Sequence, residues 1–168
     1  MRGKSDLRKW AKEIRKNCND CGEILSNKIA ELEVYKNARH IMLFYPMKYE
    51  VNLLSLLNDS NKNFYLPRIN GSELLVCPYK KGDTLLKSKY NTFEPLSKAV
   101  NKDILDVVII PALCCDKNYC RLGYGGGFYD RFLADCASFK IACISKKLLV
   151  DTVFPEKYDI PMDLIVTD

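Results

Sequence analysis

Residues 105–133, "LDVVIIPALCCDKNYCRLGYGGGFYDRFL", decide how this chain of 168 amino acids folds. The run "VVII" is β-branched, wholly apolar and followed by Pro111, as in a buried central strand of a parallel sheet. Four of the chain's eight glycines then fall at positions 123 and 125–127. Glycine packs no side chain and loses more freedom on folding than other residues, so such a cluster marks a place where backbone geometry matters. Behind it, "FYDRFLADC" carries Phe128, Phe132, Leu133 and Cys136 at helical spacing. A strand expected to end at Leu113, a glycine-rich loop and a helix after Gly127 form an α/β unit. Its ligand is expected beyond the carboxyl end of the strand.

Outward from this stretch the elements keep alternating. A first helix is expected from Ser5, a good N-cap, to about Asn17 on the stripe Leu7, Trp10, Ala11 and Ile14. A second runs through Ile24, Leu25, Ile29 and Leu32, with Asp20 and Glu23 as its capping signal. "HIMLFY" (40–45) reads as a strand stopped by Pro46, and "LLSLLND" as a short helix capped by Asn52. "NFYLP" and "ELLVCPY" are strands joined by a turn at "INGS", and "FKIACIS" and "DLIVTD" are the last two. The segment 79–96, "YKKGDTLLKSKYNTFEPL", is read as a loop or broken helix. The expected fold is α/β: a single three-layer domain over residues 1–168, Rossmann-like, with a mostly parallel central sheet and flanking helices.

Composition narrows the function classes. Hydrophobic content of 48% and charged content of 28% belong to a soluble globular protein rather than a disordered one. No apolar run approaches membrane-spanning length, and the N-terminus lacks a signal peptide's apolar core, so a cytoplasmic location is expected. Net charge is +5, and much of the excess lies in Arg2, Lys4, Arg8, Lys9, Lys12, Arg15 and Lys16, against Asp6 and Glu13. A solvated helix face accounts for this; an anion site is the sharper alternative. The eight cysteines are read as reduced thiols. Cys18 and Cys21 form a lone CxxC that continues the apolar spacing of the first helix, which favours core thiols over zinc. His40 opens an apolar run and is not read as a ligand.

A glycine-rich loop entering a helix presents backbone N–H groups that suit a phosphate, and Arg121 adds a guanidinium. A tight turn with close helix–sheet packing is the plainer explanation. The familiar nucleotide signatures are missing: no Gly-Lys-Ser/Thr triplet occurs, and Phe128 stands where the dinucleotide fingerprint needs glycine. Asp130 in the first helical turn either complements the helix dipole or offers a hard oxygen to Mg²⁺, with Asp159 and Asp163 as further carboxylates. Lys4 and Arg8, four residues apart, project from one helix face and suit a polyphosphate.

Together these residues resemble the 5-formyltetrahydrofolate cyclo-ligase family over nearly the whole chain. The likeness lies in "KSDLRKWAKEIRK", "IMLFYPMKYEVN", "FYLPRI", "NTFEP", the stretch quoted first, and "PEKYDIPMDLIVTD". Tyr158 departs from the His or Asn that the family often has before the aspartate, here Asp159. Residues 79–101 are the least similar part. The resemblance implies an ATP- and Mg²⁺-dependent closure of 5-formyltetrahydrofolate to 5,10-methenyltetrahydrofolate, releasing ADP and phosphate. The γ-phosphoryl group would pass to the formyl oxygen before N10 attacks. It further implies that Lys4, Arg8, Arg121, Gly123, Gly125, Gly126, Gly127, Phe128 and Tyr129 bind ATP. Tyr45, Glu50 and the loop from Tyr124 through Gly125, Gly126 and Gly127 to Phe128 would contact folate, with Arg68 a weaker anion contact. Asp130 and Asp159 would hold Mg²⁺, with Arg121 and Asp130 closest to catalysis. A monomer with no nucleic-acid or membrane partner is expected. The alternative from another class is a non-catalytic anion- or RNA-binding module using the basic first helix and the glycine loop.

Overall fold

The computed structural model describes residues 3–168, so Arg2 of the basic cluster lies outside the described residues. The chain forms α1 (Lys4–Lys16), α2 (Gly22–Ala30), α3 (Glu33–Asn37), β1 (His40–Met42), β2 (Asn63–Asn70), β3 (Glu73–Pro78), β4 (Leu85–Lys87) and β5 (Phe93–Pro95). It continues with β6 (Val107–Ile110), β7 (Cys114–Asp116), β8 (Arg121–Leu122), α4 (Phe128–Leu133), β9 (Phe139–Ile144), β10 (Leu149–Val150) and β11 (Leu164–Thr167). The main sheet has the order β11-β9-β6-β1-β2-β3, parallel throughout except that β3 returns antiparallel to β2.

Each buried strand sends alternate side chains to opposite faces, which makes three layers. On one face Val108, Ile110, Ala142 and Ile144 pack with Leu7 and Ala11 of α1 and Phe132 and Leu133 of α4. On the other, Val107, Ile109, Ile141 and Cys143 pack with Leu25 and Ile29 of α2 and Tyr35 of α3. All four residues of β6 are fully buried, which explains why "VVII" shows no alternation in sequence. Among the described residues, no helix is long and apolar enough to cross a membrane.

Four local readings are corrected. Helix α1 starts at Lys4, because the Gly3 carbonyl accepts from Leu7 N at 3.2 Å; Ser5 lies inside the first turn. Strand β1 ends at Met42, although Leu43 N still bonds Tyr65 O at 2.9 Å. Residues 79–96 contain the hairpin β4–β5, with Leu86 opposite Glu94 and Asn91 turning the chain at φ 60°. The Ser88 and Thr92 hydroxyls, 2.7 Å apart, close that hairpin. Strand β6 stops at Ile110, and the antiparallel pair β7–β8 then intervenes, joined to β10 in a small second sheet. The glycine loop therefore leaves β8 and enters a helix of only six residues.

Gly22 fixes the start of α2 for a steric reason, since a Cβ there would lie 2.1 Å from the Asn52 carbonyl oxygen. Overpacking of this kind costs about 1–3 kcal/mol. Gly22→Ala is therefore expected to lower the thermal midpoint by roughly 2–12 °C, at about 2–4 °C per kcal/mol for a chain of this size. An unchanged midpoint in a calorimetric scan would contradict the packing described.

Candidate functional site

Strand order reverses between β1 and β6: from β1 the chain proceeds to β2 on one side and later returns through β6 on the other. Loops leaving such a switch point part from each other and open a crevice. A cleft of about 910 Å³ lies there, lined by Phe44 and Tyr45 after β1 and by Pro111 after β6. The residues singled out from the sequence line it: Lys4, Arg8, Tyr45, Glu50, Arg121, Gly123 to Gly127, Phe128, Tyr129, Asp130 and Asp159. Arg68 does not. Its Nη1 donates to the Pro95 and Ser97 carbonyls at 2.9 and 2.8 Å, so it ties β2 to the hairpin.

Side chains, not strand ladders, fasten the glycine loop. Arg8 Nε donates to Gly123 O at 3.0 Å, and Arg131 Nη2 donates to Gly126 O at 3.0 Å. Gly125 and Gly127 hold φ of 100° and 67°, a region that residues with a Cβ rarely enter. Phe128 lies edge-on to Tyr90 with ring centres 5.4 Å apart, and Tyr45 lies 5.2 Å from Phe93. The cleft thus has aromatic walls beside its charges. Tyr90 and Phe93 are not among the residues singled out from the sequence, because their segment reads there as a loop or broken helix. The polar turn around Asn91 was the available signal, since the two strands that it joins have only three residues each.

Arg121, 6% exposed, donates from Nη2 to Asp130 Oδ1 at 2.8 Å and lies 5.7 Å over the Tyr129 ring. Its Nε is buried with no partner among the described residues, an orphan donor in the cleft wall. Lys4 Nζ binds Asp159 Oδ2 at 2.5 Å and Glu156 at 3.3 Å. Asp130 makes its protein contacts through Oδ1 and Asp159 through Oδ2. Each carboxylate therefore keeps a second oxygen for a hard cation, which fits Mg²⁺, a metal that takes one or two carboxylates and completes its shell with phosphate and water.

Tyr124 at the loop's tip donates its hydroxyl to Glu50 Oε1 at 2.6 Å, and Met47 N donates to Glu50 Oε2 at 2.7 Å. Burial raises the Tyr129 hydroxyl above its ordinary range, and the Glu50 charge adds to this, so it stays protonated at neutral pH. The cysteines take no part in the cleft. Burial pushes the Cys114 thiol up to about 12, and Cys115 and Cys143 rise for the same reason, so these thiols are inert. His40 Nδ1 sits 2.8 Å from the Tyr65 hydroxyl.

The Lys4–Asp159 pair sets a pH window. Burial works against the charge of Asp159, but the hydrogen bonds from Lys4 and Glu156 N and the Lys4 charge outweigh it and hold the carboxyl below 3.8. Burial likewise opposes the Lys4 charge, and its bonds to Asp159 and Glu156 raise it above 10.5. The carboxylate's stabilisation is complete above its unfolded value and lost as pH falls through the lower folded one; the lysine's is complete below 10.5 and lost as pH rises beyond it. In ligand-free protein, Asp159→Asn should lower the thermal midpoint by a constant amount between about pH 5 and about pH 9. The difference should shrink below about pH 3; a difference that persists undiminished there would contradict the pairing.

Three comparisons bear on this site. Residues 2–168 match the sequence model of the 5-formyltetrahydrofolate cyclo-ligase family. A 5-formyltetrahydrofolate cyclo-ligase of Escherichia coli K12 is 32% identical over 68% of this chain and 68% of its own length. A probable 5-formyltetrahydrofolate cyclo-ligase of Schizosaccharomyces pombe is 25% identical over 85% of this chain and 81% of its own. The solution structure of the Aquifex aeolicus 5,10-methenyltetrahydrofolate synthetase superposes with a TM-score of 0.87 at 27% identity, covering 98% of this chain and 89% of that one. With the cleft at the switch point and the match running from one end of the sequence to the other, this chain belongs to the 5-formyltetrahydrofolate cyclo-ligase family.

Proposed function

We propose that the chain closes 5-formyltetrahydrofolate to 5,10-methenyltetrahydrofolate, using ATP and Mg²⁺ and releasing ADP and phosphate. The observation that carries this is that one cleft gathers Lys4, Arg8 and Arg121, together with Arg131 and Lys157, beside an aromatic wall, with Asp130 and Asp159 among its carboxylates as the pair that fits Mg²⁺. A phosphate chain and a flat heterocycle need those two environments side by side. Family membership adds the substrate.

In this proposal Lys4, Arg8 and Arg121 meet ATP phosphates, with backbone N–H groups from Gly123, Gly125, Gly126 and Gly127 and the flanking Phe128 and Tyr129. Tyr45, Glu50 and the loop from Tyr124 to Phe128 face the folate. Asp130 and Asp159 hold Mg²⁺, which supplies charge neutralisation for the phosphate oxygens when bound. The γ-phosphoryl group moves from ATP to the formyl oxygen, leaving ADP and making that oxygen a leaving group; N10 then bonds to the formyl carbon and gives up its proton to solvent, and the C–O bond breaks to release phosphate. The protein's part is positioning and charge neutralisation, which is the general logic of phosphoryl transfer. An RNA-binding role is less favoured, because Glu50, Glu94, Asp130, Glu156 and Asp159 line the same cleft and would oppose a polyanion that brings no metal, whereas ATP is proposed to enter with Mg²⁺.

Mixing the protein with 5-formyltetrahydrofolate, ATP and Mg²⁺ should raise the near-ultraviolet absorbance of the methenyl product, and omission of any one component should abolish the rise. A rise without ATP, or none with all three, would overturn the proposal. Asp130→Asn should lower kcat roughly 100-fold or more, the usual effect of losing a group that stabilises moving charge. Gly125→Val should fold yet lose ATP binding by calorimetry, because it forces a side chain into φ 100° with its Cβ 3.4 Å from the Arg8 guanidinium carbon. Unaltered ATP affinity in that variant would count against the loop's assignment.

A further inference from the structure

Arg15 belongs to the same face of α1 as Lys4 and Arg8. At 3.6 residues per turn the three directions fall within an arc of about 40°. Yet Arg15 does not line the cleft, and it is only 7% exposed. Its Nε donates to the Tyr49 carbonyl at 3.0 Å, and its Nη1 donates to the Tyr124 hydroxyl at 2.5 Å. Its Nη2 stands 3.8 Å from Glu50 Oε1. Each contact is made to a segment that builds the cleft.

Glu50 needs such a partner, for its side chain is only 2% exposed and a buried carboxylate without a counter-charge is costly. The segment carrying it is also strained, since Tyr49 holds φ 68° without being glycine. Arg15 grips the carbonyl of that same residue. Burial, and after it the Glu50 charge, raise the Tyr124 hydroxyl above 10.0, so it is protonated at neutral pH. One hydroxyl can then donate to Glu50 and accept from Arg15 at once.

We propose that Arg15 is a positioning residue: its guanidinium balances the buried Glu50 carboxylate and orients the Tyr124 hydroxyl, so that one helix sets both the substrate-facing carboxylate and the tip of the glycine loop. The identity of the ligand rests on the cyclo-ligase reading; the pairing does not. Arg8 and Arg131 hold the loop independently, so losing Arg15 should disturb the folate side more than the nucleotide side.

The test compares Arg15→Met, Arg15→Lys, Glu50→Gln and the double variant Arg15→Met/Glu50→Gln, by initial rates against each substrate and by thermal midpoint. Arg15→Met should raise KM for 5-formyltetrahydrofolate roughly tenfold or more, as expected for a lost hydrogen-bonded charge, and change KM for ATP by less than about threefold. Arg15→Lys should recover part of the loss. Adding Glu50→Gln to Arg15→Met should raise the midpoint above that of Arg15→Met alone, because the stranded charge is gone. A fall in kcat with both KM values unchanged would overturn the proposal. So would a Glu50→Gln penalty as large in the Arg15→Met background as in the unaltered protein. Should the unaltered protein show no turnover, the cyclo-ligase reading fails while the midpoints still decide the Arg15–Glu50 pairing.

Discussion

The glycine loop lies outside the strand ladders, and arginine side chains supply what the sheet does not. Arg8 takes the carbonyl of Gly123, Arg15 the hydroxyl of Tyr124 and Arg131 the carbonyl of Gly126. Two of the three come from α1, which is anchored through Leu7 and Ala11 in the core and through Lys4 to Asp159 near the C-terminus. A loop fastened by its carbonyls and its tip is preorganised, so ligand binding need not repay the entropy of ordering it. The helix after the loop has only six residues, so in the proposed function the attraction for phosphate rests on the arginines and the loop's own N–H groups more than on a helix dipole.

The sheet explains why these parts meet. Reversal of strand order at β1 and β6 leaves two diverging loops, and Glu50 arrives with the first of them. The second returns as the β7–β8 hairpin before releasing the glycines, which carries Arg121 into the cleft wall opposite Asp130. The β4–β5 hairpin then supplies Phe93, packed on Tyr45, so the aromatic side is made by a structure outside the parallel sheet.

Much of this was legible from residues. The apolar "VVII" run announced a buried parallel strand, and the glycine cluster with Arg121 and Asp130 announced the cleft. The hairpins were not legible for identifiable reasons. β4 and β5 have three residues each and alternate too briefly to separate from a loop, and β7 is so fully buried that its polar–apolar pattern is masked. Arg15 was visible only as one of many charges. Its helical spacing from Lys4 and Arg8 was the available signal, but burial, which distinguishes it from Lys9 or Lys12, belongs to the folded state.

In the proposed function, α1 and the glycine loop act as one phosphate-binding unit. Amide hydrogen exchange across residues 121–131, with and without ATP and Mg²⁺, tests it in the intact protein. ATP is expected to slow exchange at 123–127 in the unaltered protein and much less in Arg8→Met, while β6 and β9 exchange alike in both. Equal protection of the loop in both proteins, or no protection on adding ATP, would contradict it.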